Sequence, residues 1–262
     1  MKKGVKTTLF VLAGLVGLNA AGIALWKRIW NLKNASKPGN AEAYHPENAP
    51  QKPDSPLKGK TILFLGSSVT KGAASLDKSF VEYLERIDGI TAVKEAVSGT
   101  TLVTMNEKSY IPRMKTMDPG IRADAFVCQL STNDATRSLP LGEVTDSFDM
   151  ADFDTATVAG AIEYIIAYAQ ETWHCPVLFY TGTRYNSEAY GQMVELLLKI
   201  RQKWGIGVID LWNDAEMNAV GAEDYALYMA DGIHPTQAGY LLWWTPKFEL
   251  GLIDFLNQAA LK

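Results

Sequence analysis

The sequence predicts an α/β fold in which a central parallel β-sheet lies between two layers of helices. Short, continuously apolar runs recur along the chain, as in Thr61–Leu65 (TILFL) and Ala125–Leu130 (AFVCQL). A strand that is apolar at every position is buried on both faces, which is typical of a parallel sheet covered by helices. Stretches with helical periodicity separate these runs, as in βαβ units. The composition, 47% hydrophobic and 21% charged, is that of an ordinary globular protein.

The elements alternate from residue 58 onward. The predicted strands are Thr61–Leu65, Ala92–Val97, Ala125–Leu130, Val177–Tyr180 and Gly207–Leu211. The predicted helices are Ser79–Ile87, Tyr110–Met117, Thr155–Thr172, Glu188–Trp204 and Thr236–Asn257. Parallel sheets of this kind place their chemistry at the carboxyl ends of the strands, so the residues that follow each strand are the candidates for a functional site.

Residues 1–33 contain an uncharged apolar run, Thr7–Trp26, in which only Asn19 is strongly polar. A helix of this length spans about 30 Å, which matches the hydrocarbon core of a bilayer. We expect a hydrophobic helix that anchors the protein in the cell membrane as a single pass. The very short tail before it favours an orientation with the C-terminal body outside the cell. A cleaved signal peptide, which would leave a secreted protein, is the alternative, because the small residues at positions 20–22 could be cut.

Residues 34–57 contain five prolines among small and polar residues: Pro38, Pro46, Pro50, Pro53 and Pro56. This composition predicts a stiff, extended linker that lifts the body away from the membrane. The body would then comprise residues 58–262.

Charge and cysteine content exclude several classes of function. The net charge is −4, but the first 57 positions carry more basic than acidic residues, which leaves the body acidic. An acidic body repels phosphate backbones, so no nucleic-acid partner is expected. Cys128 and Cys175 lie in separate apolar runs without the spacing of a zinc site, and no metal is expected. They are interpreted as buried free thiols, with a single bridge as the alternative.

Four polar groups follow strands or close the domain. They are Gly66-Ser67-Ser68-Val69-Thr70, Ser98-Gly99, Asn133-Asp134, and Asp231-x-x-His234-Pro235. An Asp and a His three residues apart can hold the carboxylate against Nδ1 of the imidazole, which leaves Nε2 free to accept a serine proton. The chain has three histidines. The other two lie in the predicted linker and just before a strand, so His234 is the candidate base.

This set of residues, in this order and strand context, resembles the four sequence blocks of the SGNH (GDSL-type) hydrolases, from about Lys58 to the C-terminus. The resemblance implies a flavodoxin-like three-layer sandwich with about five parallel strands. It also implies ester hydrolysis without a metal or cofactor. Ser68 would be the nucleophile, with Asp231 and His234 completing the triad, and the oxyanion hole would be formed by Ser68, Gly99 and Asn133.

One position departs from the family pattern, because Ser67 stands where the family has aspartate. Ser68 is favoured as nucleophile, since Val69-Thr70 keeps the family's register. Arg184, after the fourth strand, is a candidate for substrate binding. The expected substrate is a small acyl ester or an acylated glycan or lipid. The alternatives are a non-catalytic surface protein with this fold and a nucleotide- or flavin-phosphate module, although the chain lacks both glycine-rich phosphate motifs.

Overall fold

The computed structural model describes residues 28–261 together with Gly22 and Leu25. Within them, five strands form one parallel sheet in the order β2-β1-β3-β4-β5. The strands are β1 (Thr61–Gly66), β2 (Thr91–Ala96), β3 (Ala125–Gln129), β4 (Val177–Tyr180) and β5 (Gly207–Ile209). This arrangement confirms the predicted α/β sandwich, and each strand begins within one residue of its predicted start.

Alternate residues of the central strands feed two separate cores. Leu63 and Phe126 point into one apolar cluster, whereas Ile62 and Ala125, one position earlier on the same strands, point into the other. Because successive side chains of a strand face opposite sides of the sheet, burial on both sides requires an apolar residue at every position. The continuous apolar runs in the sequence follow from this geometry.

Helices cover both faces of the sheet. Residues 28–35 lie in a helix that we label α1. The others are α2 (Ser68–Lys71), α3 (Phe80–Asp88), α4 (Tyr110–Met114), α5 (Thr132–Thr136), α6 (Val158–Trp173), α7 (Glu188–Trp204), α8 (Ala222–Tyr228), α9 (Gln237–Gly239) and α10 (Thr245–Ala259). A single π-helical turn, Tyr240–Trp244, joins α9 to α10. The sequence pattern misses α2, α5 and α8, because helices this short contain too few turns to show periodicity.

The segment 34–57 differs from the stiff, extended linker that its prolines predict. Three 3₁₀ turns form at Pro38–Asn40, Glu42–Tyr44 and Pro46–Asn48. Ala49 and Leu57 are buried in the core beside α3. Tyr83 on α3 donates a hydrogen bond of 2.6 Å to the carbonyl of Tyr44. The few apolar side chains and backbone carbonyls of this segment find partners on the body, which outweighs the stiffness that proline imposes.

The predicted membrane helix Thr7–Trp26 lies almost entirely outside the described residues. Among the residues that are described, no helix is long and apolar enough to cross a bilayer. Cys128, on β3, and Cys175, just before β4, are both buried, and both are free thiols.

Candidate active site

Ser68 is the first residue of α2, and one residue, Ser67, separates it from the end of β1. The turn between them is tight, since a Cβ on Gly66 would lie 1.7 Å from Oγ1 of Thr70. Ser68 is 7% exposed, whereas Ser67 is fully buried. The start of a helix directs free backbone N–H groups outward, and these favour negative charge nearby. The turn therefore presents a serine hydroxyl beside donors suited to an anion.

Gln129, the last residue of β3, holds this turn in place. Its Oε1 accepts hydrogen bonds from the backbone N–H of Ser67 (2.9 Å) and from the hydroxyl of Thr70 (2.8 Å). Oε1 also accepts a longer bond of 3.2 Å from the backbone N–H of Thr70. The predicted site did not include Gln129. Its signal in the sequence is a polar residue at the end of a strand that is otherwise apolar, because a buried amide needs partners.

Asp231 and His234 form a compact local unit in the loop after α8. The Oδ2 atom of Asp231 lies 2.9 Å from Nδ1 of His234. The Oδ1 atom accepts the backbone N–H groups of Ile233 (2.8 Å) and His234 (2.9 Å). The loop is thereby closed by its own aspartate, and the imidazole is held with Nε2 facing away from the carboxylate.

The structure brings Ser68 and His234 together across 166 positions of sequence. Their Oγ and Nε2 atoms are 2.8 Å apart. The hydroxyl of Ser67, by contrast, makes no hydrogen bond to any residue that the structure describes. Of the two adjacent serines, only Ser68 is within reach of the imidazole.

The pKa of the Asp231 carboxyl falls to about 2 in this environment. Partial burial alone would raise this pKa. The hydrogen bond and charge of the His234 ring, together with the two backbone N–H groups, outweigh that effect. Asp231 is therefore a carboxylate at neutral pH, as a group that orients an imidazole and stabilises its charged form must be.

Gly99 and Asn133 are the other two predicted oxyanion donors. Gly99 lies in the loop after β2 and Asn133 in the first turn of α5, and these two segments contact each other. Gly99 has φ = +78°, and a Cβ added to it would meet no atom within 4 Å, so its backbone is exposed to a ligand. A φ in this range favours glycine. The side-chain amide of Asn133 donates a bond of 2.9 Å to the carbonyl of Thr100. An amide nitrogen carries two hydrogens, so this bond fixes the group and leaves a second donor.

Two buried charged residues set the position of the Gly99 loop. The carboxylate of Asp134 accepts the backbone N–H groups of Leu102 and Val103, each at 3.0 Å. The guanidinium of Arg113 donates to the carbonyl of Gly66 (2.9 Å) and to the hydroxyl of Thr100 (3.1 Å). Arg113 thus joins the end of β1 to the loop after β2, and the sequence alone offered no signal for this role.

A small cavity of about 10 Å³ adjoins the site. Its lining includes Val69, Thr132 and Ile233, which are the immediate sequence neighbours of Ser68, Asn133 and His234. Tyr185 also lines it. Arg184, the predicted substrate-binding residue, instead donates through Nε to the carbonyl of Trp212 at 2.9 Å. Its guanidinium braces the loop after β5, and a role for Arg184 in binding substrate stays a prediction.

The arrangement combines a hydroxyl, an imidazole that can accept its proton, and a carboxylate that fixes the imidazole. Such a set can carry out nucleophilic attack on a carbonyl carbon. No group of three or more His, Cys, Asp and Glu side chains within the described part of the chain could hold a metal ion.

Comparison with known proteins gives one family match. The model of the GDSL-like Lipase/Acylhydrolase family matches residues 64–242. Those residues contain all of the predicted catalytic and oxyanion positions. No curated protein matches the chain significantly.

Several solved structures share the fold. A protein from Lactobacillus plantarum is 21% identical with a TM-score of 0.61, and the match covers 77% of this chain and 98% of that one. A protein from Chitinophaga pinensis described as a possible lipase is 17% identical, with a TM-score of 0.56 and coverage of 77% and 99%. A family two carbohydrate esterase from Clostridium thermocellum, solved in complex with cellohexaose, is 12% identical, with a TM-score of 0.55 and coverage of 80% and 66%.

Proposed function

Because this chain belongs to the GDSL-like lipase and acylhydrolase family and is a hydrolase that acts on esters, we propose that it works through an acyl-enzyme on Ser68. Oγ of Ser68 attacks the ester carbonyl carbon while Nε2 of His234 takes its proton, which then passes to the leaving alcohol. Water repeats the sequence and releases the acid. The observation that carries this proposal is the 2.8 Å contact between Ser68 Oγ and His234 Nε2, with Asp231 on the other ring nitrogen.

The oxyanion that forms on the carbonyl oxygen needs donors. We assign this role to the backbone N–H groups of Ser68 and Gly99 and to the side-chain amide of Asn133. The exposed backbone of Gly99 and the fixed amide of Asn133 support the assignment. Donors that are already in place stabilise the transition state without reorganisation.

The substrate that fits best carries a short acyl group. The cavity beside the site has a volume of about 10 Å³, which is room for about one water molecule. A long acyl chain would have to lie outside it. The alcohol component is a small molecule, a glycan or a lipid, and the structural likeness to a carbohydrate esterase adds support for a decorated glycan.

We further propose that the protein is held at the cell membrane by its N-terminal apolar run, with the hydrolase domain outside, as the sequence predicts. Fractionation of cells that express the whole chain tests this proposal. The protein should remain in the membrane fraction after a wash with high salt and should be accessible to added protease in intact cells. Recovery from the medium as a shortened chain would instead support signal-peptide cleavage.

Replacing each of the two adjacent serines tests the nucleophile. Ser68→Ala should lower kcat on a small acetyl ester by about 10⁴-fold or more and abolish labelling by a fluorophosphonate probe. Ser67→Ala, the matched control, should keep labelling, since the Ser67 hydroxyl is buried and makes no hydrogen bond to a described residue. Loss of activity in the Ser67 variant alone would reverse the assignment.

Asn133→Ala tests the oxyanion role. Removing one donor should lower kcat by about 10²–10³-fold. Labelling stoichiometry and the far-UV spectrum should stay those of a folded protein. Full activity of this variant on a small ester would exclude Asn133 from the oxyanion hole.

A further inference from the structure

The segment that precedes the family match packs against the active site. We call residues 28–49 the N-terminal strap; it comprises α1 and the three 3₁₀ turns. It lies wholly outside the matched residues 64–242. Asn40, in the first 3₁₀ turn, is 3% exposed although it is an amide in a polar stretch. A buried amide is costly unless its hydrogen bonds are made, so the partners of Asn40 indicate what holds the strap in place.

The strap contacts the segment that carries the nucleophile. The Nδ2 atom of Asn40 donates a bond of 2.8 Å to the carbonyl of Ala74. The indole nitrogen of Trp30 donates a bond of 3.3 Å to the carbonyl of Ala73. The backbone N–H of Ala73 in turn donates to the carbonyl of Ser68 at 2.9 Å. One residue, Ala73, therefore links the strap to the nucleophile through two hydrogen bonds.

The strap also contacts the segment that carries the base. The Oδ1 atom of Asn40 accepts the backbone N–H of Gln237, three residues after His234, at 2.8 Å. The Trp30 ring meets the His234 ring edge to face, with centroids 6.5 Å apart and planes at 81°. Gly39 is pressed so closely onto this segment that a Cβ there would lie 2.4 Å from Oγ1 of Thr236.

Asn40 thus joins both halves of the catalytic contact through one side chain. Two other bonds also cross between the halves: Tyr240 donates to the carbonyl of Val69 at 2.6 Å, and Gln237 donates through its side chain to Ser75 at 3.1 Å. Both belong to the family-matched region. Asn40 adds a third link between the two halves from outside that region. The other N–H of its amide donates to the carbonyl of Asn34 within the strap (2.8 Å).

We propose that Asn40 is a positioning residue that sets the spacing between Ser68 and His234, and that Trp30 fixes the orientation of the His234 ring. The N-terminal strap then contributes to catalysis by positioning Ser68 and His234. This inference rests on the proposed roles of Ser68 and His234. If Ser68→Ala stays active, those roles fail; if Ser68→Ala is inactive and the strap variants behave like their control, the inference alone fails.

The test compares Asn40→Ala and Trp30→Ala with Asn48→Ala in the full-length protein. Asn48 is a matched control, because its amide is exposed and, among the described residues, donates to the carbonyl of Glu42 within the strap itself. Activity on a small acetyl ester is divided by the number of sites that a fluorophosphonate labels to completion. Partial unfolding lowers the number of labelled sites, whereas misplacement of the catalytic groups lowers kcat per labelled site.

Displacing a catalytic group by about 1 Å can cost about 10²-fold in rate. We therefore expect kcat per labelled site to fall about tenfold or more in Asn40→Ala, severalfold in Trp30→Ala, and not in Asn48→Ala. The low-field proton signal of the His234 Nδ1–H should also shift in the first two. Values of kcat within about twofold of the control in a folded Asn40→Ala would overturn the proposal. If Asn40→Ala fails to fold, the proposal is judged by Trp30→Ala, at a partly exposed position, with the same twofold limit on kcat per labelled site.

Discussion

The two halves of the catalytic contact are held in different ways. On the serine side, the turn at Ser68 depends on residues far away in sequence, chiefly Gln129 and Arg113. On the histidine side, Asp231 closes its own loop through the two backbone N–H groups that follow it. Burial differs in the same sense: Ser68 is 7% exposed, whereas the side chains of His234 and Asp231 are 20% and 41% exposed.

This difference indicates that substitutions in the two halves should have different consequences. A change in the aspartate loop should damage the chemistry and leave the fold intact, because the loop's contacts are local and partly solvated. A change in the support of the serine turn should damage the fold as well, because it leaves buried donors without acceptors.

Among changes to the groups that support the catalytic contact, Asp231→Asn should have the largest effect. Asparagine keeps an oxygen for the two backbone N–H groups, but its NH₂ group would face Nδ1 of the imidazole. The ring would then carry its proton on Nε2, where it cannot accept the proton of Ser68. We expect kcat on a small acetyl ester to fall by about 10³–10⁴-fold.

The matched control is Asp118→Asn, since Asp118 closes a similar exposed turn by accepting the N–H of Gly120 at 2.8 Å. This turn precedes β3, at the opposite end of the strand from Gln129. The control should keep its activity. A loss of less than about tenfold in Asp231→Asn would mean that the aspartate does not set the tautomer.

Gln129→Leu should act on stability first. It removes the acceptor for the N–H of Ser67 and for the N–H and hydroxyl of Thr70, all of them buried. Unpaired buried donors cost about 1–3 kcal/mol each. We expect the free energy of unfolding to fall by about 3 kcal/mol or more, or Tm by roughly 6–12 °C.

Thermal unfolding followed by circular dichroism measures this effect. Gln202→Leu, on the exposed side of α7, is the control and should change stability by about 0.5 kcal/mol at most. An unchanged Tm in Gln129→Leu would show that the serine turn does not depend on β3.

The smallest expected effect is the response of the aspartate loop to acid. The pKa of Asp231 is about 2 in the folded protein, against an ordinary value of 3.8. Between these values the unfolded chain binds more protons, so the free energy of unfolding rises with pH from about 2 to about 4. The contribution of Asp231 is complete above that window and is lost as the pH falls through about 2.

Urea unfolding of the wild type and Asp231→Asn at several pH values isolates this contribution from those of other carboxyl groups. The stability difference between the two proteins should widen from about pH 2 to about pH 4 and then stay constant. Because the Asp231 side chain is 41% exposed, solvent screens the interaction and the difference should be small. A stability difference that does not vary with pH would mean that the loop does not stabilise the charged form of Asp231.

The sequence predicted the parts of the molecule that depend on local or periodic patterns. Burial on both faces of the sheet makes the central strands visible as continuous apolar runs, and the Asp231–His234 pair is visible because its geometry is local. Gln129, Arg113 and Asn40 were not predicted, since their contacts at the site reach residues far away in sequence: Gln129 bonds to Ser67, Arg113 to Gly66 and Asn40 to Gln237. The packing of residues 34–57 was missed for the same reason, because proline content reports chain stiffness and carries no information about tertiary partners.

The two buried cysteines can serve as probes of local unfolding in the sheet. Burial raises the pKa of the Cys128 thiol well above its usual range and that of Cys175 to about 12. Alkylating reagents attack the thiolate, so both sulfurs should stay unmodified while the native state persists. Cys128 lies on the central strand β3 and Cys175 at the amino end of β4. The order in which the two thiols are alkylated under mild heat would therefore show whether the amino end of β4 opens before the centre of the sheet or the whole sheet opens at once.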